Sequence, residues 1–93
     1  LEGADLDARL SGARLVELPA SLRRQGVTGV LVEQVERGSR AARNNLRQGD
    51  VILGASTGEF TDLGGFRATL SDAPQLLVLR IWRNGTQGNL PMR

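Results

Sequence analysis

The sequence predicts a small α+β domain that is mostly β, with five or six short strands and two helices. Three observations carry that reading. Runs rich in aliphatic and β-branched residues at 30–35 (VLVEQV), 51–53 (VIL) and 75–83 (QLLVLRIWR) read as strands. Asn84-Gly85 reads as a two-residue hairpin turn, because a type I′ turn needs positive φ at both positions. Ser39 and Asp62 each precede a short helical stretch as an N-cap. With 93 residues the chain is long enough for one small core and too short for two, so residues 1–93 are expected to form a single domain.

Taken in order, residues 1–6 (LEGADL) alternate enough for a strand edge, although Gly3 and Asp5 weaken it. Residues 7–26 are the least regular part. They hold the apolar run Leu15-Val16-Glu17-Leu18, then Pro19 and a short helix through Ser21, Leu22 and Arg24 ending at Gly26. The stretch reads as a variable insertion with some strand or helix of its own. Residues 27–35 (VTGVLVEQV) form a strand that Gly38-Ser39 breaks, and Ser39 caps a helix over 40–44 whose Ala41 and Ala42 let it pack close to a sheet. Val51-Ile52-Leu53 reads as a fully buried strand and Thr57-Gly58 as a tight turn.

Asp62 caps a second helix from Leu63 to about Ser71, despite Gly64 and Gly65, which cost about 1 kcal/mol each against Ala. Asp72-Ala73-Pro74 stops it. The strand over 75–83 places Leu77, Leu79 and Ile81 on one face and Leu76, Val78, Arg80 and Trp82 on the other. Residues 86–93 return as its partner, at a sheet edge because Gly88 and Pro91 suit no central strand.

Composition excludes several function classes. All 12 basic residues are arginine and 10 carboxylates leave a net charge of +2, so the pI of about 11.0 reflects arginine's pKa rather than a basic patch. With only three aromatics among scattered arginines, no nucleic-acid partner is expected. The chain has neither His nor Cys, which removes the Ser-His-Asp triad, the Cys-His dyad and imidazole or thiolate metal sites. Catalysis within this chain and a cofactor are therefore not expected. No apolar run approaches the roughly 18 to 20 residues of a membrane span, so no membrane insertion is expected. The start at Leu1, in what reads as the middle of a strand, suggests a fragment of a longer protein.

The most specific feature runs from Val30 to Gly54: a valine-rich strand, Gly38-Ser39, an Ala-Ala helix, Leu46-x-x-Gly49-Asp50-Val51-Ile52, then Gly54. Gly49 permits a tight turn, Asp50 can accept hydrogen bonds from loop amides, and Val51-Ile52 enters the core. This stretch resembles the PDZ signature of bacterial HtrA-type proteases. With the later helix, the Asn-Gly hairpin and the closing Asn89-Leu90-Pro91-Met92-Arg93, the whole chain is similar to the C-terminal PDZ domain of the DegP/DegQ group. Arg40, Asn44 and Asn45 depart from that pattern, in which Pro, Ala and Gly are usual, and 7–26 has no clear counterpart. Asn45 keeps the geometry, since Asn follows Gly in tolerance of the left-handed conformation at a helix end.

The resemblance implies a PDZ-like, partly open barrel or sandwich of five or six strands capped by two helices. It also implies β-augmentation, in which an extended segment adds to a sheet edge while backbone amides hold its terminal carboxylate. The edge strand it implies is Leu1, Glu2, Gly3, Ala4, Asp5 and Leu6, faced across a groove by Leu63, Arg67 and Leu70 of the second helix, with Phe66 turned into the core. Core packing for Leu63 and Leu70, and a solvated surface position for Arg67, are equally open readings. On this placement the carboxylate-binding loop falls before Leu1. The implied partners are unfolded or C-terminal peptide segments and neighbouring subunits of the same protease, the implied location is the periplasm, and a catalytic triad would lie upstream. A PDZ domain of another envelope protein, such as an intramembrane protease or a secretion component, is an alternative. A small enzyme or nucleotide-binding domain is the alternative of another class, disfavoured by the absence of a glycine-rich phosphate loop.

Overall fold

In the computed structural model, which describes all residues from Leu1 to Arg93, five strands form one antiparallel sheet in chain order. They are β1 (Ala13–Glu17), β2 (Val30–Val35), β3 (Val51–Ala55), β4 (Val78–Arg83) and β5 (Thr86–Pro91). Three short helices accompany them: α1 (Ala20–Arg24), α2 (Arg40–Arg43) and α3 (Leu63–Thr69). The sheet does not close, since β1 and β5 remain its two edges.

The local rules operate where the sequence placed them. Ser39 Oγ accepts from Ala42 N–H at 3.2 Å and Asp62 Oδ1 from Gly65 N–H at 2.8 Å, so both caps satisfy an amide that the first helical turn leaves unpaired. Asn84 and Gly85 have φ of 51° and 80°, the type I′ combination, and the β4–β5 pairing runs from Arg83↔Thr86 to Val78↔Pro91. Asn45 sits at φ 70°, the left-handed end of α2.

Alternation buries one face of β1, β2 and β4, while β3 buries both Val51 and Ile52 and β5 buries no residue. Ala13 and Leu15 of β1, Val30 and Val32 of β2, Ile52 of β3, and Leu79 and Ile81 of β4 enter one core, onto which Ala41, Leu46, Phe66 and Leu70 pack. Phe60 and Phe66 meet with ring centroids 4.9 Å apart and tilted by 46°.

Two strands are shorter than their apolar runs. Gly29 directs its N–H to Thr61 O rather than along the sheet, so β2 begins at Val30. Ahead of Val78 the chain leaves the ladder, with Leu76 68% exposed, so β4 begins there. The stretch over 7–26 does contain the expected strand and helix. The strand is part of the domain's one sheet and core, with Leu10, Ala13, Leu15 and Leu18 all buried, whereas α1 buries no residue.

Residues 1–6 do not form a strand. Gly3–Asp5 is a single 3-10 turn, and Leu6 and Asp7 N–H both donate back to Gly3 O at 2.9 and 3.0 Å. A strand would leave those amides for a neighbour, whereas glycine at position 3 lets the chain fold onto itself.

Candidate functional site

The sheet offers two edges, and that of β1 runs beside α3. β1 pairs with β2 along one side, from Ala13↔Val35 to Glu17↔Val30, with a bulge between Arg14 and Leu15. At the end of β1, Glu17 Oε1 accepts from Leu63 N–H in the first turn of α3 at 2.7 Å. Ahead of the start of β1, Arg9 reaches the segment that follows α3, donating from Nη1 to Gln75 O at 3.0 Å and from Nη2 to Pro74 O at 2.6 Å. α3 therefore runs antiparallel to β1 and is tied to it at both ends, which frames a groove between them.

Arg9 is itself held in place. Its Nε and Nη2 donate to the two oxygens of Asp7 at 2.9 and 2.8 Å, and Asp7 Oδ1 also caps Arg9 N–H. Both side chains are close to buried. The Arg9 hydrogen bond holds the Asp7 carboxyl below its usual range despite partial burial, and the same bond raises the Arg9 guanidinium.

The loop between this pair and β1 turns at Gly12, with φ +94°, where a side chain would collide with Ser39 Cβ and Oγ. Glycine is thus required twice, by conformation and by space. Gly12 O accepts from Glu36 N–H, whereas Gly12 N–H makes no hydrogen bond within the chain and the residue is half-exposed. A free amide immediately before an edge strand, beside a helix, is a donor for an anionic group in line with that strand.

The expected wall residues divide. Leu63 is half-buried against the core and Arg67 is exposed, so both are available along α3. Leu70 is not: it is only 4% exposed and belongs to the core with Phe66. The edge strand beside α3 is β1, not residues 1–6. Of those six, only Leu1 and Glu2 run along β1, on its outer edge, with Glu2 opposite Arg14; Gly3, Ala4 and Asp5 turn away and Leu6 packs on the core.

Behind the groove, the turn between α2 and β3 is locked by Asp50, which is 1% exposed. Its oxygens accept from Arg47 N–H at 2.8 Å and from Arg83 Nε and Nη2 at 2.6 Å each. The loop-amide bond was legible in the sequence; the arginine from β4 was not. The Asp50 hydrogen bonds raise the Arg83 guanidinium. Asn44 forms a second lock: its Nδ2 donates to Arg9 O at 3.1 Å and to Arg93 O at 3.2 Å, and its Oδ1 accepts from Arg93 N–H at 3.0 Å. An open concavity of about 770 Å³ lies away from β1, between β3, β4 and the 56–62 loop, with a lining of mixed polarity that includes Arg80 and Asp62.

Comparison with known proteins fits this geometry. The chain superposes on the HtrA3 PDZ domain solved with a phage-derived ligand, FGRWV, with a TM-score of 0.71, covering 87% of this chain and 79% of that one at 19% identity. It is 38% identical over 55 residues to the periplasmic serine endoprotease DegP of Escherichia coli, covering 59% of this chain and 12% of that protein. It is 30% identical over 70 residues to the periplasmic pH-dependent serine endoprotease DegQ of the same organism, covering 75% of this chain and 15% of the relative. This is a PDZ domain of the DegP/DegQ kind. DegP of Salmonella typhimurium is 35% identical over 65 residues, 70% of this chain and 14% of that protein. No family model matches the chain. The PDZ domain thus spans about one eighth of the length of these curated relatives. The chain has neither a histidine nor a cysteine, so it holds neither a Ser-His-Asp triad nor a Cys-His dyad.

Proposed function

We propose that this PDZ domain docks extended peptide segments by adding them as a strand to the outer edge of β1, between β1 and α3. The terminal carboxylate would lie at the Gly12 N–H, within the chain rather than upstream of Leu1. The observation that carries this reading is that the edge is already used as such: Leu15 exchanges both backbone hydrogen bonds with Leu1, at 2.8 and 2.9 Å. Arg67 on α3 supplies a positive charge beside the groove, which favours an acidic side chain or the peptide's own carboxylate. Leu63 supplies an apolar surface near the far end of β1.

The ligand captured by the HtrA3 domain supports peptide recognition as the general activity. The DegP and DegQ relatives support a setting in a periplasmic serine protease, whose catalytic residues lie elsewhere. There the domain would present unfolded or C-terminal segments to the protease, or hold neighbouring subunits together.

Titration with pentapeptides bearing a free or an amidated C-terminus, followed through backbone amide NMR shifts, tests the placement. Shifts are expected at residues 10–17 and 63–69, and amidation should weaken binding. Leu63→Glu should abolish binding, because it sets a carboxylate on the apolar wall next to Glu17. Shifts confined to residues 38–47 would place the binding surface on the wrong side of the domain.

A further inference from the structure

The geometry points to residues 1–3 as a displaceable plug of this groove: a ligand strand reaches β1 only after Leu1-Glu2-Gly3 has left it. The inference rests on the reading of β1 as the peptide-binding edge and concerns how that edge is regulated.

Leu15 N–H donates to Leu1 O and Leu15 O accepts from Leu1 N, so both outward groups of the central β1 residue are occupied. Glu2 stands opposite Arg14, with its carboxylate 3.7 Å from the guanidinium. As residue numbers rise along the segment they fall along β1. The plug therefore runs towards Gly12, in the direction a peptide ending at the Gly12 N–H would take. It mimics a ligand in place and polarity, and the two cannot share Leu15.

The hold is weak enough to be released. It consists of one neutral backbone bond, one bond donated by the Leu1 ammonium to the Leu15 carbonyl, both of which water replaces when they break, and an ion pair whose side chains are 55% and 59% exposed. Gly3 makes the plug testable. It is buried, and a Cβ there would fall on the Leu10 carbonyl oxygen and 2.8 Å from Leu10 Cβ. Gly3→Val should thus expel the segment without altering β1 or α3.

The test compares the 93-residue wild type, Gly3→Val and the pair Glu2→Cys with Arg14→Cys, in a chain with no other cysteine. The probes are FGRWV with a free carboxylate and a pool of pentapeptides randomised at the last three positions. In Gly3→Val the Leu15 amide should lose its exchange protection, and affinity at β1 should rise about tenfold, the equivalent of one to two net backbone hydrogen bonds. Oxidation of the cysteine pair should abolish binding and reduction restore it. Equal affinity of wild type and Gly3→Val, with the Leu15 amide open in the variant, would overturn the plug; so would undiminished binding by the oxidised pair. The disulfide arm decides alone if Gly3→Val does not fold. Binding at β1 that is equal in every form sinks only the plug, whereas no binding in any form sinks the groove reading and the plug with it.

Discussion

Replacing Asp50 by Asn is the sharpest perturbation of the scaffold behind the groove. The carboxylate is buried, and each of its oxygens faces donors: Oδ1 the Arg83 Nε, and Oδ2 both Arg83 Nη2 and Arg47 N–H. Asparagine has nearly the same shape but offers one acceptor and one amino group. Either rotamer sets its NH₂ against a donor, and the charge that answered the guanidinium is gone. Breaking a buried pair by removing one partner costs about 3–5 kcal/mol. Arg83, however, is 30% exposed and recovers part of its hydration, which brings the expectation to about 2–3 kcal/mol. With a urea m-value of about 1.5 kcal/mol/M, the unfolding midpoint should fall by roughly 1–2 M. Trp82, the single tryptophan and the neighbour of Arg83 on β4, reports the transition by fluorescence. Arg83→Met and the double variant complete a cycle whose coupling should be about 1–2 kcal/mol and change little with added salt. A loss under about 0.5 kcal/mol for Asp50→Asn, or additive single variants, would refute the account.

Three further outcomes follow from local geometry. Asn45→Gly should be neutral or mildly stabilising, whereas Asn45→Val should cost on the order of 1 kcal/mol or more, since a β-branched residue resists φ 70°; urea melts of the three proteins check the order. Asn44→Ala should cost about 1–2 kcal/mol and speed amide exchange at Arg93, whose N–H loses its only side-chain acceptor. Asp7→Asn should destabilise the domain by about 1–2 kcal/mol near pH 7. Because Asp7 has a lowered pKa in the fold, its contribution is present above the ordinary aspartate value of about 3.9 and vanishes as pH falls through the folded value. The difference between wild type and Asp7→Asn in stability should therefore shrink below about pH 4, and a difference that grows on acidification would contradict the pairing.

Much of the scaffold was legible because its signals are local. The alternation of Leu77, Leu79 and Ile81, the Asn84-Gly85 turn and the caps Ser39 and Asp62 each need only a few neighbouring residues, and each is realised. The groove was half legible for the opposite reason. The sequence reading put the edge strand at residues 1–6, whereas the edge of the sheet is β1 at 13–17, and what decides between them is non-local. Ala13 and Leu15 find a core built from β2, β4 and α3, while Gly3 abuts Leu10 and curls back. Ala13 and Leu15, bracketed by Gly12 and Pro19, held the signal that could have identified the strand. Leu70 stands only about 20° from Leu63 around an ideal helix, but as the C-cap of α3 it lies at the end where the chain turns, and there it is buried with Phe66 while Leu63 stays half-exposed. Nothing in the sequence distinguished Arg9 and Arg83 from ten other arginines; only the fold brings each to its carboxylate.

The Asn44 lock also makes the domain a mechanical element. One side chain grips the main chain at Arg9, in the loop that opens onto the Gly12 amide, and at Arg93, beyond the last strand. Arg40 adds a second grip on the same Arg93 carbonyl at 2.7 Å. Traction applied at residue 93 therefore acts on α2, and through Asn44 on the loop at the mouth of the proposed groove, as well as along the main chain on β5. A tug on the tail of this PDZ domain is felt where its ligand's end would rest.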